Sequence, residues 1–223
     1  MALFLKNLIL DLLFPPVCIG CQREIKTVDY LCAACFKKLK FYSGDTNLNL
    51  EFIDELSIAG DYDDRRLAEL IKLLKFKAIP EASRPLIKWL TLFWQGINAL
   101  RLQSLLELPR PLLIPIPLSK KRQRERGFNQ AEILARGLAQ NFAYELSLEL
   151  IKIKNTKAQS GLNARKRVSN LTDAFKWSGQ IPLNRDVLLI DDVITTGATI
   201  SEAAKVLKMA GAKKISALVV AKG

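Results

Sequence analysis

Two hydrophobic periodicities alternate along this chain. Residues 65–76 place Leu67, Leu70, Ile71 and Leu74 on one stripe with charged residues between them, the three-to-four spacing of an amphipathic helix. Residues 82–106 continue in helical register with an apolar centre, closed by Pro109 and Pro111. A continuous apolar run follows, PLLIPIPL over 111–118, which reads as a buried strand ended by prolines. Asn129 with Glu132 three residues on has the form of a capping box, opening a helix that carries Ile133, Leu134, Leu138 and Phe142. Residues 57–62 and 148–153 read as further strands, and VLLI at 187–190 as a buried one. Ile200, Ala203, Ala204, Leu207 and Ala210 then mark a helix capped by Gly211, and 215–220 is the next strand. Strands alternating with helices of this length predict an α/β fold, a parallel sheet flanked by helices.

The opening MALFLKNLILDLLFPP is apolar, but Lys6 and Asp11 interrupt it and Pro15-Pro16 end it before it is long enough to span a bilayer. It predicts a packed amphipathic helix, no membrane insertion and a cytoplasmic protein. A chain of 223 residues with 49% hydrophobic content suffices for one α/β domain and a small accessory module, expected at 55–223 and 1–45.

All four cysteines fall in that module, as Cys18-Ile-Gly-Cys21 and Cys32-Ala-Ala-Cys35. Two such knuckles bring four thiolates to one tetrahedral zinc. Disulfides are the alternative reading, but nothing in the chain indicates an oxidising compartment, and a thioredoxin-like pair would not come twice. A four-thiolate site has no open position for catalysis, so its expected role is structural or as a docking surface. The absence of histidine from the whole chain removes Ser-His-Asp and Cys-His nucleophilic chemistry and every histidine-ligated metal.

Charge changes the picture next. There are 34 basic against 22 acidic residues, and between Arg110 and Phe175 the count is 13 against 5, so the positive field is concentrated in the second half. Such a surface attracts phosphates, nucleotides or nucleic acid. The chemistry that could use it begins where the strand at 187–190 runs into Asp191 and Asp192, then Thr195, Thr196, Gly197, Ala198 and Thr199. In open α/β sheets ligands gather beyond the carboxyl ends of strands. A threonine-glycine turn at a helix N-terminus offers amides and hydroxyls to a phosphate, and two carboxylates beside it suit vicinal hydroxyls, so the stretch describes a sugar 5-phosphate pocket. VLLIDD also has the look of a Walker B strand, but neither GxxxxGK[ST] nor GxGxxG occurs.

Four apolar residues, Asp191-Asp192, two apolar residues and Thr195-Thr196-Gly197-Ala198-Thr199 resemble the phosphoribosyl pyrophosphate (PRPP) signature of type I phosphoribosyltransferases. Pro115-Ile116-Pro117-Leu118, Arg122, Arg126-Gly127-Phe128-Asn129-Gln130, and the spaced Gln159, Leu162, Arg167, Asn170 and Phe175 resemble the ComF branch. So do Tyr62, Leu74-Lys75-Phe76 and the four cysteines. The resemblance implies that Asp191 and Asp192 hold the ribose hydroxyls and that Thr195 to Thr199 cradle the 5-phosphate. It implies a pyrophosphate loop at Pro115 to Leu118, with Arg122 and Arg126 either neutralising pyrophosphate or belonging to a solvated charge run. Residues 155–170, with Arg167, correspond to the loop that closes over PRPP, and magnesium would arrive with that substrate.

The reaction so implied is displacement of pyrophosphate from ribose C1 by an unknown acceptor. Members acting on purines often carry an acidic residue where this chain has Thr195, which weakens a purine-salvage reading. The other implied role is a non-enzymatic accessory factor in natural transformation, binding single-stranded DNA or a DNA-uptake helicase.

Overall fold

The computed structural model describes residues 16–25, 29–46, 48–102, 110–154 and 173–223. The helix expected before Pro15 and the loop expected at 155–170, with Arg167, lie outside them. In chain order the elements are α1 (Ala33–Lys37), β1 (Glu55–Asp61), α2 (Arg65–Phe76), a 3-10 turn (Pro80–Ala82), α3 (Ser83–Leu102), β2 (Leu112–Pro115), α4 (Lys120–Arg126) and α5 (Gln130–Phe142). They continue with β3 (Leu150–Lys152), β4 (Phe175–Trp177), β5 (Val187–Ile194), α6 (Ala198–Met209) and β6 (Ile215–Lys222).

Four strands form a parallel sheet in the order β1-β6-β5-β2. Alternate residues of a strand point to opposite faces, and the core divides accordingly. Leu113, Leu188, Ile190, Leu218 and Val220 pack with α2, α3 and α5, whereas Leu112, Ile114, Leu189, Ala217 and Val219 pack with α6 and β4. The helical stripe of α2 is wholly buried, and Asp64 starts that helix by accepting from the Arg66 amide at 2.9 Å.

The apolar run at 148–153 departs from the parallel pattern. Only its centre, β3, is a strand, and it pairs antiparallel with β4 outside the main sheet. Leu150 alone of β3 is buried, because the hydrophobic partners on offer are Phe175 and Trp177 of β4. The outer edge of β2 is instead covered by residues 145–147, through Leu113 N to Glu145 O and Ser147 N to Leu113 O, both 2.9 Å.

The cysteine module rests on the α2–α3 layer. Cys18, Leu31, Cys35 and Leu39 belong to the same core as Leu67, Leu86 and Trp89. Phe36 meets Trp89 edge-on at 6.1 Å and Phe41 stacks on it at 4.3 Å. Among the described residues no helix is long and apolar enough to cross a membrane.

Candidate functional site

The two aspartates lie within β5, not beyond it. The strand runs on to Ile194, with Asp191 opposite Val219 and Val193 opposite Ala221 of β6. On its other side β2 ends at Pro115, opposite Ile190, so Asp191 and Asp192 extend past the last residue pair with β2. Strand alternation starts their side chains towards opposite faces, yet the Asp191 carboxyl still reaches the Asp192 side chain and the Lys75 charge. Asp192, 3% exposed, turns to the α2 layer, where Lys75 Nζ meets its Oδ1 at 2.9 Å. Its Oδ2 is buried with no hydrogen-bond partner among the described residues. Asp191 is half-buried and accepts from the Asp192 amide at 2.8 Å. Burial, and then the neighbouring Asp192 charge, push its carboxyl up to about 8, against the opposing pull of Lys75.

The basic segment after β2 is a short helix with a defined phase. Ser119 caps α4, accepting from the Arg122 amide at 3.4 Å, and Gly127 ends it with φ +80°, a left-handed turn that a side chain would strain. Arg122 and Arg126, one turn apart, are half-buried, while Arg124 is exposed. Arg126 donates to Gln130 Oε1 at 2.7 Å and senses the charges of Asp192 and Asp191. Burial lowers its basicity below the ordinary value. Asn129 caps α5 through the Ala131 amide at 3.1 Å and donates from Nδ2 to Ile116 O at 3.0 Å, tying the end of β2 to the start of α5. Glu132 does not complete a capping box; it turns to Arg136 at 2.8 Å. The stretch from Arg126 to Gln130 therefore supplies a site cation, a helix stop, a core aromatic at Phe128, a brace and a clamp on that cation.

Lys152 approaches from the other face, its Nζ 5.1 Å above the Phe175 ring. Burial, then the Arg122 charge, hold its ammonium down to about 8, while Asp191 draws it up. Lys75, Arg126 and Lys152 thus act on the aspartate pair, and Arg122 lies near Arg126 and Lys152.

Beyond Ile194 the turn is open to solvent at Thr195 and Thr196, and α6 begins at Ala198, with Ala198 and Thr199 half-buried. Gly197 has φ +76°, and a Cβ there would collide with Leu50, which packs over the turn. Only glycine satisfies both conditions. The Thr195–Thr199 turn therefore follows directly from the aspartates, at the end of β5 and the start of α6.

The four cysteines converge at the other end of the α2 layer. Their sulfurs lie within 4.8 Å of one another, and those of Cys21 and Cys32 are 3.8 Å apart. An edge of about 3.8 Å is what four sulfurs at roughly 2.3 Å from one zinc require. Gly20 and Cys32 amides point at Cys18 Sγ, at 3.4 and 3.3 Å, and the Cys35 amide at Cys32 Sγ at 3.4 Å, as donors to thiolates do. Burial opposes ionisation of Cys18, but the amides of Cys32, Cys21 and Gly20 bring its thiol down to about 6. Burial and the adjacent thiols push Cys35 up to about 12. A divalent ion removes that conflict by neutralising the cluster, so the donor set fits a structural zinc.

Lys75 and Phe76 belong to the Leu74-Lys75-Phe76 pattern of the sequence, which gave them no role at the site, and Lys152 belongs to no motif. A lone lysine in the apolar run Leu150-Ile151-Lys152-Ile153 is the one local signal that marks Lys152.

Comparison with known proteins adds two domain families: a double zinc ribbon domain over residues 9–46 and a phosphoribosyl transferase domain over 125–223. With four cysteines and no histidine, this chain has the thiolates of one four-cysteine site. The chain is 34% identical to Competence protein F of Haemophilus influenzae over 206 residues, 89% of this chain and 87% of that protein. It is 33% identical to the DNA utilization protein YhgH of Escherichia coli K12 over 67% of this chain and 64% of that one. It is 39% identical to Competence protein ComFC of Streptococcus pneumoniae over 46% of this chain and 44% of that one.

Proposed function

Because the chain belongs to the ComF family of competence proteins, we propose that it is an accessory factor in DNA uptake and utilisation whose phosphoribosyltransferase domain binds PRPP. The names of its relatives support the DNA role; they concern competence and DNA utilisation, and none names a transferase reaction. The observation that carries PRPP binding is the buried, unpartnered Oδ2 of Asp192 beside Asp191, with the charges of Lys75, Arg126 and Lys152 acting on the pair and a threonine-glycine turn following it in the chain. A buried acceptor without a donor is costly, and ribose hydroxyls supply donors. The turn receives the 5-phosphate, and Arg122, Arg126 and Lys152 face the diphosphate. Magnesium enters on that diphosphate, which supplies most of its oxygen ligands. Single-stranded DNA or a helicase partner meets the basic surface and the zinc module.

A second reading, transfer of the phosphoribosyl group to an acceptor with loss of pyrophosphate, is favoured by one feature. Asp191 and Lys152 both titrate near 8 in the same site, a pattern that often accompanies proton transfer.

Calorimetry with PRPP and magnesium tests the first reading. The wild type binds, and the Asp191→Ala, Asp192→Ala double variant loses about tenfold or more in affinity per carboxylate, since hydrogen bonds to charged groups contribute roughly 1.5–3 kcal/mol. Equal affinity in the two proteins removes the assignment. Release of pyrophosphate on adding candidate acceptors, absent from the double variant, would establish the second.

A further inference from the structure

Phe76 is the most exposed aromatic among the described residues, at 72%, although Leu74 two positions before it is fully buried. A phenylalanine in water contributes nothing to the core of α2. Its surroundings are specific. The preceding residue, Lys75, holds Asp192 at 2.9 Å, and the Arg126 guanidinium lies 5.9 Å from the ring centre while sensing both aspartates. The ring therefore stands at the mouth of the aspartate site, with a cation towards it and most of its surface open. That combination, an open π-face beside cations, is how proteins hold unpaired bases irrespective of sequence.

We propose that Phe76 is a stacking platform for an unpaired nucleobase at the mouth of the Asp191–Asp192 site, with Arg126 backing the ring and Lys75 fixing the end of α2 to the site. The ligand is either a base of single-stranded nucleic acid or a free base brought to the ribose; only the second case rests on the PRPP reading above.

The experiment compares the wild type, Phe76→Ala and Phe76→Trp, whose exposed position spares the fold. Fluorescence anisotropy measures binding of an oligothymidylate of about twelve nucleotides and of an abasic strand of the same length. Calorimetry measures adenine and uracil added with PRPP and magnesium. In the strand case the wild type prefers the base-bearing strand by about tenfold, Phe76→Ala loses that preference and Phe76→Trp keeps it. In the free-base case, heat of adenine or uracil binding is present in the wild type and Phe76→Trp and lost in Phe76→Ala. PRPP affinity stays within about twofold in all three proteins where PRPP binds. A wild-type response of Phe76→Ala in both arms overturns the proposal, as does a wild type with neither preference nor heat. A strand preference that depends on Phe76 in a protein that does not bind PRPP retains this inference and discards the PRPP reading.

Discussion

Asp191 and Asp192 are adjacent in sequence yet stand in different surroundings, because consecutive residues of β5 face opposite layers. Asp192 has Lys75; Asp191 has a desolvated position beside another carboxylate. The carboxyl of Asp191 is raised from 3.8 unfolded to about 8 folded, so the folded state holds its proton more tightly. Its stabilising contribution is complete below about pH 4 and is lost as pH rises through about 8. Asp191→Asn imitates the protonated form without the titration. Thermal unfolding followed by circular dichroism should show equal melting temperatures near pH 4 and a margin favouring the variant that grows towards pH 8. It should reach roughly 1 kcal/mol or more, about 3 °C. A margin independent of pH would contradict the raised value.

At the scale of the element, α4 shows how phase turns a charge run into a partly directed surface. Seven residues between Ser119 and Gly127 bring Arg122 and Arg126 to the same side, while Arg124 is exposed and donates to Lys120 O at 3.3 Å. Arg122→Ala with Arg126→Ala should therefore weaken PRPP binding by about tenfold or more, whereas Arg124→Ala leaves it within about twofold. For single-stranded DNA the logarithm of affinity falls with the logarithm of salt at roughly −0.7 per phosphate neutralised, and loss of all three arginines should flatten that slope by about two units. A triple variant that retains wild-type PRPP affinity but no longer binds DNA would make nucleic acid the primary ligand of α4.

For the whole molecule, the question is whether the zinc module is an appendage. Its residues Leu31, Cys35 and Leu39 share one core with α2 and α3, Arg66 Nη2 donates to Lys38 O at 2.9 Å, and Phe41 covers Trp89. Metal affinity at such a cluster is folding free energy. Cys18→Ser or chelation should therefore lower the melting temperature of the entire chain by about 10 °C, on the order of 4 kcal/mol, in one transition. One zinc per chain should be found by metal analysis of the intact protein. Loss of a separate early transition, with the main one unmoved, would show that the module folds independently of the sheet.

The sequence by itself determined whatever depends on neighbours along the chain. Helix α2 falls where its stripe places it, β5 and α6 follow from an apolar run and a small-residue stripe, and the cysteine spacing declares a four-thiolate site. The aspartate pair and the Thr195–Thr199 turn were legible for the same reason: a strand, a turn and a helix start are local objects. Tertiary structure alone decided what meets them. Lys75 reaches Asp192 from α2, Lys152 reaches towards Asp191 from β3, and Phe76 comes to stand by Arg126, all across separations on which spacing carries no information. Competition between partners is equally invisible locally. Glu132 chose Arg136 over the cap, Asn129 spent its amide on Ile116, and β3 paired with β4 because Phe175 and Trp177 offered the hydrophobic surface that the main sheet did not.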